Sequence, residues 1–453
     1  MAIRKLQSSQ RWLMLGLIFL IYSFAVADRI TISIAAPAIS KALHIGPVEL
    51  GFIFSAFMWG YGLCAIPAGI IVDKLGAKRA MTYGVIVWTI GTVLGGFAGL
   101  VTNVVVFLFL TRLLIGVAEA VVTPGSASVL ASWFPDRERG LASSLWASST
   151  YVMVAIMSPL MGWIADAYGW EHVFWLIGGS GFVALSLWVL FYFDPLKNPR
   201  LSAEELNYIV EGGALGGSRK AAELPRPSRR DAISQAVREM FILLKTRQMA
   251  VVFFAQYCGN SIAFFLLTWL PTYLVHEKGT SITKAGFMFS LPGVMGAIGA
   301  IASGALVDLI FRRTGSLGLS RKIPLTIGYL MTVSIALLPF ANSTVGIVAL
   351  MAIAFFGKGM ANLGWTLVTD LAPRSLVGTA GGMLNSLGTI GSILTSVGIG
   401  AIVEYSGSFD LALLFVAAHG VMAIAAFWLF IKQMKRVTLD EGEGESELVA
   451  VAE

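Results

Sequence analysis

Charge is scarce in this chain. Only 13% of its 453 residues are Asp, Glu, Lys or Arg, about half the share of a soluble globular protein. So few charges exclude an ordinary water-exposed fold of this length. Cysteine is almost absent: Cys64 and Cys258 both sit in apolar stretches, so neither a disulfide framework nor a metal site is expected. His44, His172, His276 and His419 are scattered without ligand spacing. The chain has no glycine loop of the kind that cradles ATP phosphates, no low-complexity tract and no sign of an appended domain. These absences weigh against an enzyme, and a membrane-embedded enzyme or sensor remains only a remote alternative.

Apolar residues are abundant. They make up 57% of the chain, the mean hydropathy is +0.79, and long apolar runs recur from end to end. The fold class implied is an all-α polytopic membrane protein embedded in a lipid bilayer. The pI near 9.3 does not point to nucleic acid. Lys41, Lys278 and Lys284 fall on one side of the reading, Arg29, Arg112 and Lys358 fall inside spans, and every other Lys and Arg falls on the opposite side. That asymmetry follows the positive-inside rule and places both termini in the cytoplasm. Met1 to Ala27 imitates a secretory signal with Ala25-Val26-Ala27 as a cleavage site. The polytopic chain behind it favours an uncleaved first span.

Twelve spans are expected: 12–37, 49–72, 80–101, 104–130, 142–165 and 172–194, then 247–274, 284–310, 323–341, 344–370, 379–403 and 409–432. The implied organisation is a six-helix bundle over 1–194, a cytoplasmic linker over 195–246, a second bundle over 247–436, and an acidic, disordered tail over 437–453. In the linker, Ser202-Ala203-Glu204-Glu205 is a capping box for a short amphipathic helix, and the Arg226 to Arg230 cluster is expected to face the inner leaflet. The halves echo one another. Gly69 with Asp73 closes the second span, and Gly304 with Asp308 closes the eighth, 235 residues on. Pro135 with Gly140 recurs as Pro373 with Gly378, 238 residues on. Two landmarks at nearly one offset imply six-plus-six duplication, a plan common among transporters that bind substrate at midplane between repeats.

Charges inside spans mark the chemistry. A charge at mid-membrane costs roughly 2.5–3.5 kcal/mol and is tolerated facing a wet or paired interior. Arg112 and Glu119 lie seven residues apart in an otherwise apolar stretch, on one helix face with about 10 Å of rise between them. Arg29 and Arg112 are expected at a similar depth, where two guanidiniums suit a carboxylate bound bidentately. Asp28 and Glu119 are the only acids well inside spans of the first half. The competing reading is a structural ion pair locking two helices. Gln256 and Asn260 share a helix face four residues apart and offer both donors and acceptors. Lys358 either pairs structurally with Glu119 or another acid, or neutralises the far carboxylate of a dianion. Importing one negative charge against 100 mV costs roughly 2.3 kcal/mol, so a dianion needs at least two protons to cancel its charge. Phe264, Phe265 and Trp269 read as packing.

Gly69-Ile70-Ile71-Val72-Asp73-Lys74-Leu75-Gly76-Ala77-Lys78-Arg79 resembles the loop signature of the major facilitator superfamily, and its partial duplicate at Gly304 and Asp308 strengthens the match. In that family the motif gates conformational change; its glycine permits close helix approach. Asp28-Arg29, Phe54-Ser55-Ala56-Phe57 with Tyr61, Arg112 with Glu119, and Trp133-Phe134-Pro135 with Glu138-Arg139 look like the anion:cation symporter branch. Gly169 to Phe174, Leu267-Thr268-Trp269, Glu277-Lys278-Gly279 and Phe355 to Gly359 look closer still to bacterial glucarate/galactarate permeases. The similarity covers nearly the whole chain. It implies the twelve-helix major facilitator fold in two pseudo-symmetric halves and a proton-coupled importer of an organic anion. Asp28 and Glu119 would carry the protons, while Arg29, Tyr61 and Arg112 hold the anion. Gln256, Asn260, Trp365 and Asn385 would line a sugar-acid site, and Gly69, Asp73, Gly76, Arg79, Gly304 and Asp308 would form the gate. It also implies a monomer in a bacterial inner membrane, with protons as the coupling ion and no other cofactor.

The chain departs from those permeases in its first half. Ala25-Val26 stands where they show Asn-Tyr, Val121 and Thr123 interrupt a Glu-Ala-Pro-x-Phe-Pro run, Ser126 and Ser128 replace an Asn and an Arg, and Thr150 replaces a Gln. The expected substrate is a sugar acid (an aldarate, aldonate or hexuronate), and these losses point to one less hydroxylated than glucarate or differently shaped. The nearest alternative is an importer of an aromatic or small dicarboxylic acid; an exporter comes next.

Overall fold

The computed structural model describes residues 10–214 and 229–437, without the side chains of 229–236. Among them all regular structure is helical. Eleven stretches are long and apolar enough to cross a membrane, which bears out the all-α polytopic reading. The first half contains α1 (Gln10–Leu43), α2 (Pro47–Leu75), α3 (Ala77–Gly95), α4 (Val104–Glu119), α5 (Val122–Trp133), α6 (Asp136–Tyr168) and α7 (Trp170–Phe191), followed by the short α8 (Ala203–Glu211). The second contains α9 (Arg229–Lys245), α10 (Arg247–Thr268), α11 (Leu270–His276), α12 (Ile282–Met288), α13 (Ser290–Thr314) and α14 (Leu317–Thr332), the last continued by a 3₁₀ segment, Val333–Phe340. It ends with α15 (Thr344–Met360), α16 (Gly364–Leu371), α17 (Val377–Ser406) and α18 (Asp410–Phe430).

The third expected span is the one not among the eleven. Helix α3 stops at Gly95 instead of reaching 101. A Cβ at Gly95 would lie 2.8 Å from the Phe174 ring and one at Gly96 2.4 Å from Trp175 Nε1. Aromatic side chains of α7 thus press on the backbone there, and the chain leaves the helix through a 3₁₀ turn at Ala98–Leu100. Four spans expected to be continuous are broken: the seventh at residue 269 and the eighth at residue 289, each just before a proline (Pro271, Pro292), and the fourth and tenth by longer turns. Pro124 lacks an N–H and its ring opposes the carbonyl of residue 120, so α4 ends at Glu119 and Pro124 sits in the first turn of α5, where no donor is needed. In the tenth, residues 361–363 turn between α15 and α16.

The chain forms two compact units. The first holds the described residues within Met1–Ile45, Ala56–Arg226 and Ser281–Gly286; the second holds those within Gly46–Ser55, Pro227–Thr280 and Phe287–Glu453. The core of the first unit is built from Met14, Ile18, Met81, Trp88, Ile115, Trp133 and Trp188, all at most 1% exposed. Close backbone crossings fix its helix positions. A Cβ at Gly116 would lie 2.1 Å from Phe57 O, and one at Gly60 2.2 Å from Leu113 O, so α2 and α4 touch through small residues. In the second unit the same device joins α13 and α15: Gly359 would place a Cβ 2.1 Å from Gly296 O, and Gly299 would place one 2.1 Å from Phe356 O.

Helix α8 is bolted to the first unit. Ser202 Oγ caps it by accepting from Glu205 N–H at 3.2 Å. The fully buried Glu205 carboxylate accepts from the backbone N–H of Gln10 and Arg11 and from Arg11 Nη1 at 2.9 Å. Arg11 also pairs with Glu138 at 3.1 Å, and Tyr208 Oη donates to Glu138 at 2.5 Å. Burial and this bond to a carboxylate both raise the Tyr208 phenol above its ordinary pKa. Arg226, the tail after residue 437 and the side chains of Arg229 and Arg230 lie outside the described residues. Ala25, Val26 and Ala27 are buried in the middle of α1.

Candidate functional site

In the first unit, helices α1, α3 and α4 bring five polar side chains together. Asp28 and Arg29 are neighbours on α1, about 100° apart around its axis. Their partners are crossed onto α4. Arg112 Nη1 meets Asp28 Oδ2 at 2.9 Å and also donates to the Asp28 carbonyl at 3.3 Å. Arg29 Nε meets Glu119 Oε2 at 2.8 Å. Asp28 and Glu119 are fully buried and Arg112 is 3% exposed, whereas the Arg29 side chain keeps 26% of its surface. Thr92, which the sequence did not single out, donates from Oγ1 to Asp28 Oδ1 at 2.5 Å.

Phe57 lies under both cations, 5.1 Å from the Arg29 guanidinium and 5.5 Å from that of Arg112. Tyr61 stacks on Phe57, with centroids 5.8 Å apart and planes at 19°, and its hydroxyl is 3.3 Å from Thr123 Oγ1. Four opposed charges thus cancel inside an apolar bundle, as membrane burial requires. Two arms of the cluster stay open: Glu119 Oε1 and Arg112 Nε are buried without a hydrogen-bond partner. Buried polar groups are seldom left so, and open ones mark places where a further partner fits. Glu119 also stands at the α4 break, where backbone polar groups leave the helix ladder. Irregular backbone at membrane depth is tolerated only where it is buried in protein or lines a wet cavity.

In the second unit, Gln256 Nε2 donates to Asn260 Oδ1 at 3.2 Å along α10. Glycines on the facing helices make room for this pair. A Cβ at Gly364 would lie 2.4 Å from Gln256 Oε1, and one at Gly388 would lie 2.4 Å from Asn260 Nδ2. Gly381 gives the same clearance to the Trp365 ring, 2.6 Å from an added Cβ. Gly381, Asn385 and Gly388 share one face of α17 by spacing, so Gln256, Asn260, Trp365 and Asn385 belong to one polar region. Trp365 is 54% exposed and follows directly on the break between α15 and α16. Lys358 is half-buried in the last turn of α15 and makes no ion pair among the described residues of its unit. Phe264, Phe265 and Trp269 are buried packing, as expected.

The loop signature departs from expectation in one respect. A Cβ at Gly69 or Gly304 would meet nothing within 4 Å, so neither glycine serves a close helix approach in this structure. Gly76 does need to be glycine: it opens α3 with φ +80°. Asp73, Arg79 and Asp308 are exposed and form no hydrogen bond or ion pair among the described residues. Among those residues no group of three His, Cys, Asp or Glu converges to hold a metal ion.

Comparison with known proteins agrees with this architecture. The chain is 40% identical over 433 residues to the probable galactarate/D-glucarate transporter GarP of Escherichia coli K12, covering 95% of this chain and 97% of that protein. It is 33% identical over 429 residues to the D-galactonate transporter of Escherichia coli O6:H1, covering 94% and 97%. Its fold matches the crystal structure of a bacterial homolog of the human lysosomal transporter Spinster, in an inward-facing and occupied conformation, with a TM-score of 0.70 at 17% identity over 93% of this chain and 97% of that one. These relatives, the apolar helices and the match of residues 18–396 to the Major Facilitator Superfamily make the protein a multi-pass membrane transporter rather than an enzyme. The chain belongs to the major facilitator superfamily.

Proposed function

We propose that the protein is a proton-coupled symporter that imports a sugar acid, an aldarate, aldonate or hexuronate, across a bacterial inner membrane by alternating access, with both termini in the cytoplasm. The observation that carries this reading is the crossed pairing of Arg29 with Glu119 and Arg112 with Asp28, each pair leaving one buried arm open. A guanidinium held by a carboxylate is released when that carboxylate takes a proton, and it then accepts a carboxylate of the substrate. Loss of the proton on the other side lets the internal acid displace the substrate. Anion and proton therefore travel together.

The pairs divide the work. Arg29 is the more exposed cation, so Glu119 is the acid exchanged for substrate, while Thr92 holds Asp28 against Arg112. Tyr61 orients the bound anion beside Arg29. In the second unit Gln256, Asn260, Trp365 and Asn385 read hydroxyl groups, and Lys358 takes the second carboxylate of a dianion. The loop residues Gly69, Asp73, Gly76, Arg79, Gly304 and Asp308 gate the cycle. The names of the relatives, galactarate/D-glucarate and D-galactonate transporters, support the substrate class. One observation favours the second reading, an importer of an aromatic acid or a small dicarboxylic acid: Ser126 is fully buried with its hydroxyl unpartnered at a position where the resembling permeases carry a larger polar residue.

The test is ligand-induced thermal stabilisation in detergent across glucarate, galactarate, galactonate, glucuronate, tartrate and 4-hydroxybenzoate, since a ligand bound only to the folded state raises the melting temperature according to its affinity. Stabilisation by a sugar acid, followed by its uptake into proteoliposomes under an inward proton gradient, supports the proposal. Silence from every sugar acid with a response to tartrate or 4-hydroxybenzoate discards the sugar-acid reading in favour of the second.

A further inference from the structure

A basic cavity of about 400 Å³ lies in the second unit between the start of α14 and the segment that follows α18. Lys322, Lys432 and Lys435 line it together with Ser316, Trp428 and Gln433, and no acidic side chain does. Lys322 is the unusual member. It is only 5% exposed. Its ammonium donates to the Ile431 carbonyl and sits 5.0 Å over the Trp428 ring, which uses one of its three N–H donors. A buried cation ordinarily has an anionic partner, and among the described residues Lys322 forms no ion pair. Trp428 is fixed in turn, its Nε1–H bonded to Thr326 Oγ1 at 2.8 Å.

The surroundings narrow the class of anion that would fit. Beside the three lysines, Leu429 and Phe430 are 68% and 50% exposed, as side chains facing lipid tails are. A half-exposed Trp next to lysines at the end of an apolar helix is the pattern of a bilayer interface. The charge distribution in the sequence puts this end of α14 and α18 on the cytoplasmic side, where anionic lipids attract clustered basic residues. Ser316 to Leu319, which open α14, line the same cavity, with Ser316 Oγ already bonded to Leu319 N–H.

We propose that this cavity binds the phosphodiester headgroup of an anionic phospholipid, with Lys322, Lys432 and Lys435 as its cationic ligands and the acyl chains running along the exposed apolar end of α18. The proposal is independent of the substrate reading and rests on the cytoplasmic placement of this end.

The experiment uses the delipidated full-length protein, titrated with phosphatidylglycerol or phosphatidylcholine and read by native mass spectrometry. The expected result is one tightly retained phosphatidylglycerol and no comparable phosphatidylcholine. Loss of headgroup contacts is expected to weaken retention about five-fold per lysine. The double variant Lys432→Ala/Lys435→Ala, which changes only exposed side chains, is therefore expected to lose roughly 25-fold, with its response to transport substrates intact. Lys322→Gln is a second variant, accepted where its melting temperature shows that it folds. Equal retention of phosphatidylglycerol by wild type and the double variant overturns the site. Retention of glycerol 3-phosphate without retention of the lipid overturns the lipid assignment in favour of a soluble phosphate ester. Retention seen only after residues 438–453 are removed makes the acidic tail of the chain the occupant, and the lipid assignment falls with it.

Discussion

Removing one partner of the Arg112–Asp28 pair gives the sharpest measure of how this core is held. Both side chains are inside the first unit, at 3% and 0% exposure, 2.9 Å apart. Deleting one member of such a pair leaves an uncompensated buried charge, at a cost of about 3–5 kcal/mol. The two single deletions are not equivalent. Asp28→Ala strands a guanidinium that cannot shed its charge, with only the backbone carbonyl at 3.3 Å and the Phe57 ring left to it. Arg112→Ala strands a carboxyl that can become neutral by taking a proton and keeps its bond from Thr92. Asp28→Ala is therefore expected at the upper end of the range. A unit of about 200 residues loses roughly 2–4 °C of melting temperature per kcal/mol, so the expected fall is about 6–20 °C.

Thermal unfolding of the purified protein in detergent, followed by intrinsic fluorescence, measures this. The double variant Asp28→Ala/Arg112→Ala removes the stranded charge and is expected to melt above the sum of the single effects, with a coupling of about 0.5–3 kcal/mol. The corresponding cycle between Arg112 and Glu119, which share a helix face but not an ion pair, is expected to show less. Additive single effects for Arg112 and Asp28, or a larger coupling between Arg112 and Glu119, would refute the crossed pairing.

Glu119→Gln keeps the hydrogen-bonding shape while removing the titratable group, so it is expected to abolish accumulation driven by a proton gradient while substrate exchange between loaded liposomes continues; loss of both would show that Glu119 is needed for binding itself. Thr92→Val removes the 2.5 Å bond to Asp28 at nearly constant volume, and a cost of about 1.5–3 kcal/mol for a bond to a charged group should appear as a melting shift of several degrees and a changed pH profile of uptake. Gly116→Ala forces a Cβ to within 2.1 Å of Phe57 O. It is expected to lose about 1–3 kcal/mol through overpacking, and Gly359→Ala should do the same in the second unit; melting temperatures check both.

The spans and the buried charges were readable because a charge in a long apolar run is rare enough to stand out. The partner of each charge was not. Sequence spacing reports neighbours on one helix, so Arg112 and Glu119 looked like a unit, whereas their partners are set by how α1 and α4 pack. Thr92 was invisible for another reason: a threonine in an apolar helix commonly bonds the carbonyl four residues back, and Thr92 does that as well, to Trp88 O at 3.1 Å. The glycines gave mixed signals. Gly60, Gly116, Gly299 and Gly359 carry the close crossings, while Gly69 and Gly304, which stand in the loop motif, face open space. A motif identifies a position but not the contact that the position makes in a given structure.

The helix breaks show where sequence and structure diverge most usefully. Pro37, Pro67, Pro159 and Pro324 all lie inside unbroken helices, so a proline in an apolar span does not by itself announce a break. Pro124 does break its span, and the tenth span breaks at 361–363 with no proline at all. Unlike the one-residue breaks at 269 and 289, these two are about 241 residues apart, close to the offset of the sequence landmarks, and so behave as one feature of a duplicated unit. Each adjoins the residues with the strongest chemical claim in its own half: Glu119 at the first, Lys358 and Trp365 flanking the second. Unwound backbone inside a membrane is costly unless it is buried in protein or lines a wet cavity. Its recurrence at the same place in both halves, beside charged or exposed polar-aromatic side chains, argues that these breaks are retained for the site and not for packing.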